Sequence, residues 1–173
     1  MSPAEKIGGD LWNWSLAAYG APGVGEACLA LQDNHDQNVP LLLWSGWCAA
    51  TGRIPDAEDI EAACDTARTW ADTTILPLRA VRRTLKRVIP DLDPAAREAV
   101  REQVKAVELA AERHLLAALQ GIGPAPSAAP RPYIDALAAT ARVWDRVVPR
   151  QALQLLAARL DDAPALLDGL PAR

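Results

Sequence analysis

The sequence predicts an all-α fold: a single-domain, irregular helical bundle of six or seven helices packed around a buried central helix. Three observations carry that reading. Residues 38–52 (NVPLLLWSGWCAATG) are uncharged and apolar on every side, which places a helix in a core rather than on a surface. Elsewhere apolar residues recur at helical spacing between start and stop signals. No period-two run of β-branched residues bounded by turns is present, so no strand is expected.

At 173 residues the chain is one domain by length and can bury a sizeable core. Residues 1–9 and 164–173 are expected to fray, and 121–132 forms an internal Pro/Gly loop. The chain is 50% apolar and 23% charged, as for a soluble globular protein. A net charge of −4 and a pI near 5.2 argue against a protein that coats nucleic acid or an anionic membrane. The three cysteines, Cys28, Cys48 and Cys64, form no C-x-x-C pair and each sits among apolar residues. They read as buried free thiols in a reducing cytoplasm. The first residues lack a basic segment followed by an apolar one, so no signal peptide is expected. The apolar run is too short for the ~20 residues that span a bilayer. A cytoplasmic location follows as an expectation.

The elements are expected in this order. Asp10 is a good N-cap for a helix over 11–19, with Gly20 as its stop. Leu11, Trp12, Trp14, Leu16 and Tyr19 surround that helix, which predicts that it is largely buried. Pro22-Gly23 makes a turn. A helix over 24–34 buries Val24, Ala27, Cys28 and Leu31, spaced i, i+3, i+4, i+7. The polar stretch 32–38 leads into the central helix. Pro40 suits its first turn, because the N–H that proline lacks was unsatisfied there anyway. Gly52 ends it by entering the left-handed region. Its small residues Ser45, Gly46, Ala49 and Ala50 let neighbouring backbones approach closely.

Asp56 caps the next helix, and Asp59 completes a capping box. Thr73, Thr74 and Pro77 interrupt the pattern, so a break is expected there. A second segment then runs over 76–89. On it Leu78, Val81, Leu85, Val88 and Ile89 share one face, and Arg79, Arg82, Arg83, Lys86 and Arg87 the opposite one. Asp93-Pro94 starts a long helix running to about residue 120. Val100, Val104, Val107, Ala111, His114 and Ala118 form its expected packing seam, with Glu108 and Glu112 along the edge. The loop 121–132 follows. A helix over 133–148 turns Tyr133, Leu137, Thr140, Trp144 and Val147 inward. Pro149 opens the last long helix, which buries Leu153, Leu156 and Leu160.

Four constellations bear on chemistry. The basic face Arg79/Arg82/Arg83/Lys86/Arg87 could receive phosphate, nucleic acid or an acidic partner. Internal pairing with Glu108, Glu112 and the acids at 56–65 is the favoured reading. No aromatic residues interleave with these arginines, which argues against nucleic acid. Glu108 and Glu112 stand one turn apart on one side of their helix. A di-iron bundle would need Glu-x-x-His, and Ala111 stands where the histidine belongs, so no metal is expected. His114 reads as a packed histidine rather than a ligand. Asp33-x-x-Asp36 resembles the Mg²⁺-binding pair of helical prenyl-transferring enzymes. Outside capping positions its only counterpart is Asp161-Asp162 near the tail, and helix-end chemistry is the favoured reading. No nucleophile elbow, P-loop, dinucleotide turn or zinc spacing occurs, so no cofactor and no catalytic residue are assigned. Ser45 has no base nearby in sequence.

The pattern Leu11-Trp12-x-Trp14, then Ala27-Cys28-Leu29-Ala30-Leu31-Gln32-Asp33, then Val39-x-Leu41-Leu42-Leu43 resembles the opening of a family of short, uncharacterised bacterial proteins. Leu78-Arg79-x-Val81-Arg82-Arg83-x-Leu85-Lys86 and Glu108-Leu109-x-x-Glu112 look like the same family. The resemblance covers about residues 10–120. It implies a domain of unknown function and supplies no activity, substrate or site residue.

The function expected is therefore that of a non-enzymatic adaptor, binding another protein or an anionic ligand through the basic helix; homo-oligomers are compatible with it. The alternative is a small-molecule binder or enzyme with a pocket lined by Trp70, Arg79, Arg83, Glu108 and Glu112. These two readings differ in whether the charged residues line a concave pocket or are closed off by pairing.

Overall fold

The computed structural model describes residues 10–163. All regular structure among them is helical: α1 (Asp10–Gly20), α2 (Val24–His35), α3 (Val39–Ala50), α4 (Ala57–Trp70), a π-helical turn (Ala71–Ile75), α5 (Leu76–Lys86), α6 (Pro94–Ile122), α7 (Tyr133–Trp144) and α8 (Arg150–Asp161). No helix among the described residues is long and apolar enough to cross a membrane. The ends, 1–9 and 164–173, lie outside the described residues.

α3 is the centre. Every residue from Pro40 to Ala50 is buried, and Trp44 and Trp47 are 0% and 1% exposed. The helix contacts α1, α2, α4, α6 and α7. Gly46 lets α1 come close, since a Cβ there would lie 3.0 Å from Cη2 of Trp14. Ser45 is structural: its Oγ accepts a hydrogen bond from Thr140 on α7 at 3.0 Å. Asn38 is the N-cap, its side chain accepting from the Leu41 N–H at 3.0 Å. Asn38→Ala is expected to lower stability by about 1 kcal/mol in chemical denaturation.

The other end of α3 closes in a Schellman motif. Gly52 has φ +69°, its N–H donates to Ala49 O, and the Arg53 N–H donates to Cys48 O at 2.9 Å. The Gly52 carbonyl then accepts from Ser127 and Ala128, which fastens the segment after α6 to the core helix. The three cysteines are free and buried. Burial pushes the Cys28 and Cys48 thiols up to about 12 and that of Cys64 to about 11, so none is a thiolate at neutral pH.

Several elements depart from the sequence pattern. In α1, Leu16 and Tyr19 are exposed, while Leu11, Trp14 and Ala18 are buried. The side chain of Asp10, the expected cap, lies outside what is described. The Leu11 N–H is instead satisfied from across the core by Oε1 of the buried Gln120, at 2.9 Å. α4 does not break before Pro77. Its capping box is present, and the rod continues through the π turn, in which the Leu76 N–H reaches back to Ala71 O. A proline cannot donate to the carbonyl four residues back and its ring collides with that carbonyl. Widening the preceding turn removes the conflict and keeps the axis running. Thr69 and Thr73 bond back to Asp65 O and Thr69 O, a habit that bends helices.

α6 is capped by Asp93 as expected, with Ala96 N–H to Oδ2 at 2.8 Å. Its packing seam is not the expected one. Val100, Val107 and His114 are exposed, and the buried positions include Glu108, Ala111, Leu115 and Leu119. The helix continues through Gly121 to Ile122, two residues into the expected loop. α7 stops at Trp144, four residues early, and Val147 is exposed. The Asp145 carboxylate there accepts from the next two backbone N–H groups, a local turn that competes with the helix.

Candidate functional site

The apolar face expected over 76–89 is only partly covered: the helix ends at Lys86, so Val88 and Ile89 fall outside it. Helix α5 has no buried residue, with Leu78 and Leu85 half-buried and Val81 exposed. It lies along α6 and turns two arginines toward that helix. Arg79, 11% exposed at its side chain, donates Nε to Glu108 at 2.9 Å and Nη2 to Glu112 at 3.2 Å. Arg82 donates Nε to the other oxygen of Glu108 at 2.7 Å. Internal pairing, favoured from sequence, thus holds for two of the five basic residues. Arg83 is exposed and 3.7 Å from Asp33 of α2. Lys86 and Arg87 are exposed at the end of the helix, where the Arg87 carbonyl accepts from Arg97.

The two glutamates are electrostatically unequal. Burial by itself raises the Glu108 carboxyl, but the hydrogen bonds from Arg82 and Arg79 outweigh it and hold the group below the ordinary carboxylate value. At Glu112 burial dominates. The Arg79 guanidinium pulls down, the Glu108 charge pushes up, and the net shift is upward. Glu112 receives one hydrogen bond, from Arg79, and its Oε2 receives none.

Glu112 stands between two concave chambers. A polar one of about 280 Å³ lies between the end of α2, the start of α3, the π turn and α5. Asp33, Asp36, Asn38, Arg79, Arg83 and Glu112 bring polar groups to it. Trp144 closes one wall, held by its Nε1 donating to Asp36 O at 2.8 Å and by the Arg68 guanidinium 4.8 Å from its ring. Asp36 takes the left-handed conformation, φ +50°, that ends α2. This is the helix-end role favoured from sequence, and among the described residues no group of side chains is arranged to hold a metal ion.

The second chamber, about 420 Å³, is mainly apolar, walled by Trp12, Leu16, Tyr19, Leu43, Leu109 and Leu116. Gln32, Val39, Pro40 and Glu112 line both chambers, so the two adjoin. Ser15 also lines the apolar one; it is 4% exposed and its Oγ has no hydrogen-bond partner among the described residues.

The pocket expected from sequence is therefore partly corrected. Arg79, Arg83 and Glu112 do line one cavity. Trp70 does not; it is half-buried and stacks on His114 at 6.3 Å. Glu108 does not line that cavity; with Arg82, Glu102, Lys105 and Glu112 it lines an open groove. Trp144 takes the place imagined for Trp70. Trp12, Ser15, Gln32 and Asn38 went unseen as site residues. Their signal in sequence is indistinguishable from a core position, a helix residue or a cap.

A family model described as "Protein of unknown function (DUF2390)" matches residues 10–119. No curated protein and no solved structure matches the chain.

Proposed function

We propose, for a chain that belongs to this family of unknown function, that it is a small-molecule binding protein whose ligand spans the two chambers meeting at Glu112. One observation carries the reading: a polar and an apolar cavity share Gln32, Val39, Pro40 and Glu112, so a ligand lying across Glu112 would meet both halves of an amphipathic site. Ligand sites are concave and mostly apolar, with a few convergent polar groups. The π turn adds support, since its Ala71 and Ile75 line the polar chamber and such turns recur at functional sites. An adaptor role for the basic helix draws on fewer residues, because Arg79 and Arg82 are engaged by glutamates and only Arg83, Lys86 and Arg87 reach outward.

The test is a titration with 1-aminoanthracene, an uncharged aromatic fluorophore that brightens in apolar surroundings. Wild type is expected to bind it saturably at one site. Leu16→Gln/Leu109→Gln changes two exposed wall residues and is expected to weaken binding about tenfold, the loss of ~1.4 kcal/mol. Absent or unsaturable binding, or equal binding by the variant, would refute the cleft.

A further inference from the structure

We infer that the ligand of this cleft has a cationic head, a protonated amine on an apolar body, with the Glu112 carboxylate as its counter-ion and the Ser15 hydroxyl as a second hydrogen-bonding contact. The inference rests on the cleft reading above and names the chemistry of its ligand.

The charges lining the polar chamber favour a cation. Three carboxylates, Asp33, Asp36 and Glu112, face two guanidiniums there. The buried guanidinium is already engaged and the exposed one stands beside a carboxylate. Arg79 is held by Glu108 and Glu112 at 2.9 and 3.2 Å, and Arg83 lies 3.7 Å from Asp33. The start of α3, which would otherwise attract an anion, offers little: the Leu41 N–H is taken by the Asn38 side chain, and Pro40 has none.

Glu112 is the acid with unused capacity. A carboxylate can accept about four hydrogen bonds, and this one accepts a single long one at Oε1. Its Oε2 receives none, while the residue lines both cavities. An ammonium there would use the carboxylate oxygen that the Arg79 and Arg82 pairing leaves without a hydrogen bond.

Ser15 is the independent observation. It is 4% exposed, lines the apolar chamber and finds no partner among the described residues. A buried hydroxyl without a hydrogen bond is destabilising, and an N–H donor bound in the chamber would satisfy it. The apolar walls given by Trp12, Leu16, Leu43 and Leu116 then receive the body of the molecule.

The experiment is competition against bound 1-aminoanthracene at neutral pH by three molecules of one shape: 3-phenylpropylamine, 3-phenylpropan-1-ol and 3-phenylpropanoate. The amine is expected to compete about tenfold more tightly than the alcohol, and the carboxylate most weakly. Glu112→Gln is expected to remove most of the amine's advantage, weakening the amine about tenfold and the alcohol far less. Ser15→Ala is expected to weaken the amine. Circular dichroism melts check that both variants fold. Equal competition by amine and alcohol, a best competitor that is the carboxylate, or a Glu112→Gln variant that weakens amine and alcohol alike would overturn the cationic head and leave the cleft standing. Failure of 1-aminoanthracene to bind at all would instead refute the cleft itself.

Discussion

Replacing Gly52 by alanine is expected to destabilise the protein by about 2–5 kcal/mol, the sum of ~1–2 for a Cβ in the left-handed region and ~1–3 for forced displacement of packed neighbours. Both contributions come from one place. The residue has φ +69°, where an L side chain meets its own carbonyl. A Cβ there would also stand 2.0 Å from the carbonyl oxygen of Ala128, a backbone atom that cannot rotate away. That segment is fastened to Gly52 by the N–H groups of Ser127 and Ala128. Relief therefore requires breaking the hydrogen bonds that join the loop to α3. Urea denaturation of the wild type and Gly52→Ala measures the difference. A change below about 0.5 kcal/mol, as at an ordinary surface site, would show that the end of α3 is not held in this geometry.

Glu108→Gln and Glu112→Gln are expected to act unequally, although the residues stand one turn apart. Glu108 is buried and takes hydrogen bonds from two arginines. Removing its charge is expected to cost about 2–3 kcal/mol, the loss of charge-assisted bonds at a site where the arginines lose their counter-charge. For a domain of this size that lowers Tm by about 2–4 °C per kcal/mol. At Glu112 burial makes ionisation costlier than in water and a single hydrogen bond from Arg79 is at stake, so glutamine there is expected to leave Tm unchanged or raise it.

The pH dependence separates the two residues further. The folded pKa of Glu108 is depressed, so its contribution is complete above the ordinary carboxylate value and is lost as pH falls through the folded value. The folded pKa of Glu112 is raised, so the cost of its charge is relieved as pH falls through that raised value toward the ordinary one. Measuring stability against pH in the two variants tests this directly. Equal losses in both, at every pH, would refute an unequal division of Arg79 between the glutamates.

The core was legible because burial leaves a local mark. An uncharged helix has nowhere to go but inside, and 39–50 shows this without reference to any neighbour. The same holds for Val24, Ala27, Cys28 and Leu31, all buried as spaced, and for the caps Asp56 and Asp93, whose partners lie within three residues. The readings that failed depended on what lay opposite. Val100 and Val107 read as a seam because they are apolar, yet they are exposed. Glu108 read as an edge because it is charged, yet arginines from another helix allow it to be buried.

By itself the sequence determined that the chain is helical, that α3 is its core, and where most helices begin, because periodicity, capping and glycine conformation are local properties. Only the tertiary structure decided that the basic helix turns Arg79 and Arg82 inward, that Trp144 rather than Trp70 walls the polar chamber, and that Ser15 and Glu112 line one cavity. The burial of a charge depends on whether a partner meets it there, and a cleft is made by residues far apart in the chain, so neither is written in any single stretch of it.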